Sequence, residues 1–268
     1  MTSSNAQLQG RRVLITGAAR GIGAALARRL QAGVAESVEA PWWLCDVADR
    51  EQVQEVVGAA VEALGGLDVV VANAGIAAQT PLLGGDPDLF RRVVTVNLLG
   101  TYNTIRAAGP HVSHPGGYAL VVSSMGAAVH LPLMGAYSAS KAGVEAMGNT
   151  LRQELRPSGA KVGVAYFAEL DTDMTSRGFD TAAAKKLLGG RSVTRVTPLE
   201  VGIKALERGI ANRRRIIVAP AWTRPGLAGR MLVQPVVELV VRKRMAEAVR
   251  IAQEEHVTLT TPQPGGDT

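Results

Sequence analysis

The chain has 268 residues, 47% of them hydrophobic, enough for one large domain or two small ones with a sizeable core. A formal charge of +6 mildly favours anionic ligands, while scattered basic residues and only 4% aromatics give no nucleic-acid pattern. One cysteine, Cys45, excludes an internal disulfide or a cysteine-cluster metal site and suits a reducing compartment, the cytoplasm; the start MTSSNAQLQG has no signal-peptide pattern, and no apolar run reaches the roughly eighteen residues of a membrane span.

Residues 1–10 read as a polar tail. Arg12–Thr16 predicts a short strand, Gly17–Gly23 a glycine turn, and the Ala/Leu-rich stretch to about Ala32 a helix. In such a unit, backbone N–H groups and a helix N-terminus can hold a pyrophosphate. The spacing of Gly17, Gly21 and Gly23 is GxxxGxG, which also suits the glycine turn of any α/β protein. A nucleotide-binding fold then needs a second strand and an acid for the ribose roughly 20 residues past the glycines. Glu36 and Glu39 stand near that distance, but AESVE is a poor strand. Trp42–Cys45 reads as the next strand, leading into Asp46. From Gly33 to Trp42 there is no room for a normal strand and a full helix. The adenosine half of such a site is therefore abbreviated or built differently.

Asp49–Leu64 predicts an amphipathic helix capped by Asp49. Leu67–Ala72 is a buried-type strand running into the turn Asn73-Ala74-Gly75, at the strand end where open α/β sheets place binding loops. Pro87–Ala108 is mostly helix and contains Asn97, which is either a surface asparagine or one bonded to backbone or water. After Gly116 and Gly117 come the strand Tyr118–Ser123, Ser124, and a loop of small and apolar residues, Met125–Gly135. The next helix runs to about Arg156 and opens on YSASK. Tyr137 and Lys141, four residues apart, share its face. Most such pairs lie on surface helices. A lysine charge beside a phenol, however, lowers its pKa, and a phenol so tuned passes protons near neutral pH. Lys161–Phe167 is another strand. Ala168–Met174 leaves it as a loop, Asp171–Leu188 reads as a mobile polar helix over the site, Pro198–Ala211 as a helix and Arg215–Ala219 as a last strand. Leu227–Glu255 is apolar with interleaved basic residues, and Pro235 should start or kink its helix. This segment covers the substrate cleft, packs on a partner subunit or lies on a membrane surface. The end, from about Thr258, reads as a frayed tail.

Alternating strands and helices predict a parallel sheet covered on both faces. In this order the motifs Thr16–Gly23, Asn73–Gly75, Asn97, Ser124 and Tyr137 with Lys141 resemble the classical short-chain dehydrogenase/reductase family, over nearly the whole chain to about residue 219. The resemblance implies an α/β, Rossmann-type doubly wound parallel sheet in three layers. It would form one domain over 1–268, with a core at about 11–219 and a helical extension at about 224–256. Tyr137 would be the general acid/base, Ser124 would orient the substrate oxygen, and Lys141 would hold the nicotinamide ribose and lower the Tyr137 pKa. Asn97 would hold a water linking Lys141 to solvent. Gly17, Ala19, Arg20, Gly21, Ile22 and Gly23 would hold the pyrophosphate. Asn73, Ala74 and Gly75 would line the adenine side, Asp46 with Val47 would cap the adenine, and Thr172 would contact the carboxamide. Arg20 favours NADP(H) through a 2′-phosphate; Glu36 or Glu39 at the ribose would favour NAD(H).

Two departures stand against the family pattern. The segment that selects the cofactor is shortened. Ala168 and Glu169 replace a Pro-Gly pair beside the nicotinamide, where Ala168 cannot take positive φ cheaply and Glu169 would bring negative charge to the carboxamide. Beside the redox enzyme stand two alternatives: a non-redox isomerase, cyclase or lyase using Tyr137, and a non-catalytic binding protein on the same scaffold. Ile76, Leu82, Met125, Val129, Leu131, Leu133, Met134 and Phe167 in the loops suggest an apolar, fairly bulky alcohol or ketone as the small-molecule substrate. Ala142, Gly143 and Ala146 would let helices of two subunits approach, as in a homodimer or homotetramer.

Overall fold

The computed structural model describes residues 7–31, 40–178, 181–189, 192, 194–255 and 257–260. Runs of β-branched and aromatic residues build five parallel strands among these: β1 (Val13–Ile15), β2 (Val69–Ala72), β3 (Tyr118–Val122), β4 (Lys161–Phe167) and β5 (Ile216–Ala219). Neighbours pair in chain order, Val13 opposite Val69, Val69 opposite Tyr118, Tyr118 opposite Lys161 and Val164 opposite Ile216.

Side chains alternate across each strand, so one sheet feeds two cores. Val69, Val71, Leu120 and Phe167 pack with Leu26 of α1 (Gly21–Gln31) and with Ile203 and Leu206 of α8 (Leu199–Ala211). On the other face, Val70, Ala119 and Val162 pack with Val53 and Val57 of α2 (Arg50–Leu64) and Ala107 of α4 (Gly100–Val112). There Val121, Val164 and Tyr166 meet Val144 of α5 (Gly135–Glu154). This is the three-layer, Rossmann-type arrangement with a parallel sheet. Among the described residues the strands follow one another in a single direction with β1 at the edge. The two helical layers arise because α1 and α2, both lying between β1 and β2, cross to opposite faces.

The predicted cap of α2 is present: the Asp49 carboxylate accepts from the N–H groups of Glu51 and Gln52 at 2.9 and 3.1 Å. The expected strand Trp42–Cys45 is absent. Residues 40–46 are irregular, and Trp42 and Leu44 are 83% and 78% exposed. An apolar run becomes a strand only beside an edge that can accept its hydrogen bonds, and β2 already holds one side of β1 while this run reaches neither side. Glu36 and Glu39 lie outside the described residues.

The long helix expected around Asn97 is three pieces: α3 (Pro87–Val94), a π-turn over Thr95–Leu99, and α4. Two short helices, α6 (Asp173–Gly178) and α7 (Ala182–Leu188), take the place of one over Asp171–Leu188. Beyond β5 the chain forms α9 (Arg224–Ala228), α10 (Arg230–Val241) and α11 (Met245–Glu254), with a 3₁₀ turn at Arg242–Arg244. Pro235 neither starts a helix nor ends one; it lies inside α10 on an exposed face, where water can take the Met231 carbonyl that its missing N–H leaves free.

Helix α11 packs Ala252 and Ala248 against Ala183 and Leu187 of α7. The Glu255 carboxylate accepts from the first N–H groups of α7, at Ala182 and Ala183. Arg230 grips Glu145 of α5 through two N–H donors at 2.7 and 3.2 Å. The outer face of α10 leaves Met231, Leu232, Val236, Leu239 and Val240 exposed. Among the described residues no helix is long and apolar enough to cross a membrane, and no His, Cys, Asp or Glu cluster could hold a metal ion.

Candidate active site

The C-terminal ends of β1, β2 and β3 and the start of α5 bring the sequence-predicted residues to one end of the sheet. Gly17, at φ +68°, and Gly21, at φ +53°, supply the left-handed backbone that turns β1 into α1. A Cβ at Gly23 would lie 2.3 Å from the Gly17 carbonyl oxygen, so only glycine lets the helix start this close to the turn. The first-turn N–H groups of α1 have no intrahelical acceptor, and Ala19 and Arg20 just before them are exposed.

Asn73 braces this loop from β2. Its Nδ2 donates to the Thr16 carbonyl at 3.0 Å and to that of Gly17 at 3.4 Å. The Thr16 hydroxyl accepts from the N–H groups of Asn73 and Ala74. At Gly75 a Cβ would stand 3.2 Å from Lys141 Nζ and 3.3 Å from Asn97 Oδ1, so the missing side chain leaves space in front of the lysine.

Asn97 is 0% exposed, which removes the surface reading. Its Oδ1 accepts from the Ile76 N–H at 2.8 Å, and its Nδ2 donates to the Ile76 carbonyl at 2.9 Å and to Ser140 Oγ at 3.0 Å. The π-turn turns this side chain inward to the loop after β2, so it ties that loop to α5. Ser140 escaped the sequence reading, although it sits inside YSASK one residue before Lys141; its Oγ donates to the Tyr137 carbonyl at 2.7 Å.

Lys141 is 4% exposed, and its Nζ donates to the Val122 carbonyl at 2.9 Å. Burial lowers its pKa from 10.5 to about 8. The ammonium lies 5.8 Å from the centre of the Tyr137 ring. The expectation that it lowers the Tyr137 pKa is not met: burial raises that pKa, and a hydrogen bond with Ser124 opposes the rise. The physical reason is position, because the lysine faces the ring and a backbone carbonyl, so desolvation of the phenol dominates. Ser124 Oγ also accepts from the Gly126 N–H at 3.0 Å and donates to the Phe167 carbonyl at 3.3 Å. Serine and phenol thus form one hydroxyl pair, able to hold an oxygen and pass it a proton, with a buried cation behind them.

The remaining expected residues all make contacts within the chain. Glu169 Oε2 accepts from the Thr194 N–H and hydroxyl at 2.8 and 3.0 Å. Ala168 has an ordinary negative φ, and its N–H donates to the Ala219 carbonyl at 3.0 Å. Thr172 accepts at its carbonyl from Thr175 and Ser176 and so opens α6. Asp46 is half exposed and pairs with Arg92 at 3.1 Å, while Val47 is buried and its carbonyl accepts from Asn103. Ile76 and Phe167, expected to line a substrate cleft, are buried in the two sheet cores. Gly143, expected at a subunit contact, lies against Leu98 of its own chain.

These residues fit a dinucleotide in two parts: the glycine turn with free helix N–H groups suits a pyrophosphate, and the space at Gly75 before Lys141 suits a sugar hydroxyl. On the adenosine side the described residues offer Asp46 and Val47.

Residues 31–183 match the family described as short chain dehydrogenase. The chain is 33% identical over 203 residues to the 3-oxoacyl-[acyl-carrier-protein] reductase MabA of Mycobacterium bovis, covering 71% of this chain and 82% of that protein. It is 34% identical over 196 residues to a trans-4-hydroxycyclohexanecarboxylate dehydrogenase of Sinomonas cyclohexanicum, covering 62% and 76%. Among solved structures, a short chain dehydrogenase of Burkholderia cenocepacia in complex with NADP superposes with a TM-score of 0.68 at 28% identity, over 79% of this chain and 97% of that one. The motif order, the buried Asn97–Lys141 arrangement and these likenesses together establish that the chain belongs to the short-chain dehydrogenase/reductase family of oxidoreductases.

Proposed function

We propose that this protein transfers hydride between NADP(H) and an apolar, fairly bulky alcohol or ketone, with Tyr137 as general acid/base. The observation that carries the reading is the buried lysine beside Tyr137. Folding takes an ammonium out of water and hands it the Val122 carbonyl to donate to. Such a cost is expected where charge is used. Nicotinamide, when bound, supplies or accepts the hydride. The protein's own part is positional and electrostatic. Ser124 Oγ holds the substrate oxygen, and Tyr137 Oη gives that oxygen a proton in reduction and takes one in oxidation. Lys141, behind the space at Gly75, is placed to hold a sugar hydroxyl of the cofactor, and Asn97 and Ser140 fix the loop and helix around it. Glu169 accepts from Thr194, which supports redox over non-redox chemistry.

The relatives' names support the substrate class, one naming an alicyclic hydroxy acid and the other a 3-oxoacyl group. The NADP in the Burkholderia structure and the exposed Arg20 support NADP(H) over NAD(H). Half-exposed Leu99 and Tyr102 beside the π-turn support a homodimer or homotetramer joined there. The single free Cys45 supports work in the cytoplasm.

The test titrates NADPH and NADH by nicotinamide fluorescence and assays a panel of alicyclic and 3-oxoacyl ketones. Tyr137→Phe is expected to lower turnover by roughly 10²–10⁴-fold while leaving NADPH affinity within about twofold. Arg20→Ala is expected to weaken NADPH by about tenfold and leave NADH unchanged. Full activity in Tyr137→Phe would overturn the assigned role, and absence of binding to either cofactor would overturn the redox reading.

A further inference from the structure

The two faces of α10 are used differently. The inner face fastens the helix to the fold. Arg230 holds Glu145, Gln234 Oε1 accepts from the His130 N–H at 2.8 Å, Gln234 Nε2 donates to the His130 carbonyl at 3.3 Å, and Val241 packs with Leu187 and Ala248. The outer face carries Met231, Leu232, Pro235, Val236, Leu239 and Val240, at positions i, i+1, i+4, i+5, i+8 and i+9, which on a helix form one continuous stripe. Its large side chains are 60–83% exposed. Single exposed apolar residues are ordinary, but a contiguous stripe of them marks an interaction surface.

The stripe runs into the turn Arg242–Arg244, whose three cations, Arg242, Lys243 and Arg244, are all exposed. None of the three has an ion-pair partner among the described residues. The acids of the same segment are engaged: Glu238 accepts from Gln234, Glu247 pairs with Lys186, Glu254 pairs with Arg250, and Glu255 caps α7. This imbalance selects the occupant. A second copy laid on the stripe would bring the same basic turn and no free acid of its own C-terminal helices to meet it. An anionic bilayer satisfies both halves, because its hydrocarbon boundary takes the stripe and its headgroups take the cations. With 12 residues α10 is too short to cross a bilayer, so it would lie along the surface.

We propose that the outer face of α10 and the basic turn after it dock this protein on an anionic lipid surface. The stripe enters the headgroup boundary and Arg242, Lys243 and Arg244 contact lipid phosphates. The docking does not depend on the redox reading.

The test floats the full chain with vesicles of phosphatidylcholine containing roughly a third phosphatidylglycerol, and with vesicles of phosphatidylcholine alone. Binding to the anionic vesicles is expected to be about tenfold tighter or more, and the preference is expected to shrink as salt rises from about 0.1 M to about 0.5 M. Arg242→Gln/Lys243→Gln/Arg244→Gln is expected to weaken binding about 100-fold, from about fivefold for each charge. Leu232→Gln/Leu239→Gln, in the middle of the stripe, keeps the charges and is expected to weaken binding about tenfold or more. The proposal is overturned if the parent floats with neither vesicle, if it binds both equally, or if either variant floats like the parent. It is also overturned if Leu232→Gln/Leu239→Gln lowers the oligomeric mass measured by sedimentation without lipid, which would assign the stripe to a second copy.

Discussion

Lys141→Met is expected to make the cofactor-free protein more stable at pH 7 while destroying its activity. Burial draws the Lys141 pKa from 10.5 to about 8. At neutral pH that difference corresponds to about 3 kcal/mol of native-state penalty for keeping the charged form. Methionine fills similar space without charge. Its substitution leaves the Val122 carbonyl without the donor it has at 2.9 Å, a loss of about 1–2 kcal/mol. The net gain is about 1–2 kcal/mol, or about 2–4 °C in Tm for a chain of this length. The sign has a pH signature. A lysine whose pKa is lowered by folding carries its full penalty below about 8 and is relieved as pH rises from about 8 to 10.5. Thermal unfolding should therefore favour the variant at pH 7, with the gap closing at about pH 9–10 and reversing above it, where the lost Val122 hydrogen bond alone remains. A variant less stable than the parent at pH 7, or a gap that does not change with pH, would refute the argument that desolvation governs this site.

Asn97→Ala strips both backbone groups of Ile76 of their buried partner. It should cost about 2–4 kcal/mol, read as a Tm lower by about 4–7 °C, with turnover lost because the loop after β2 is no longer tied to α5. Asp68 is held by Arg12 through Nε at 2.9 Å and a second guanidinium donor at 3.0 Å, which draw its carboxyl from 3.8 to about 2. This contribution is present above about pH 4 and is lost as pH falls from there to about 2. Because Arg12 is partly exposed, about 1–2 kcal/mol is expected. Urea midpoints of the parent should fall across that window, and those of Asp68→Asn should not show the same component.

The sequence made the scaffold legible where a local period met a global one. β2 through β5 are runs of Val, Ile, Leu and Tyr flanked by turns, and the α2 helix has its Asp49 cap in plain view. It was less informative where the outcome depends on a distant neighbour. Trp42–Cys45 has strand letters but does not reach the open edge of β1. The YSASK spacing correctly put Tyr137 and Lys141 on one face, but no spacing reports how dry that face is, and dryness reverses the expected shift at Tyr137. Glu169 carried an alarming charge in one dimension; Thr194, twenty-five residues on, absorbs it. Ser140 and Ser138 are identical letters two apart in one motif, and only their opposite surroundings separate a fastened hydroxyl from an orphaned one.

The strand order also bears on how the protein is made. Every described strand lies against the one synthesised just before it, from β1 to β5. A nascent chain emerging from the ribosome can thus grow this sheet by accretion, each newcomer docking on an edge that already exists. After β1, no described strand must wait for a later partner to be translated, which shortens the time an apolar edge spends uncovered.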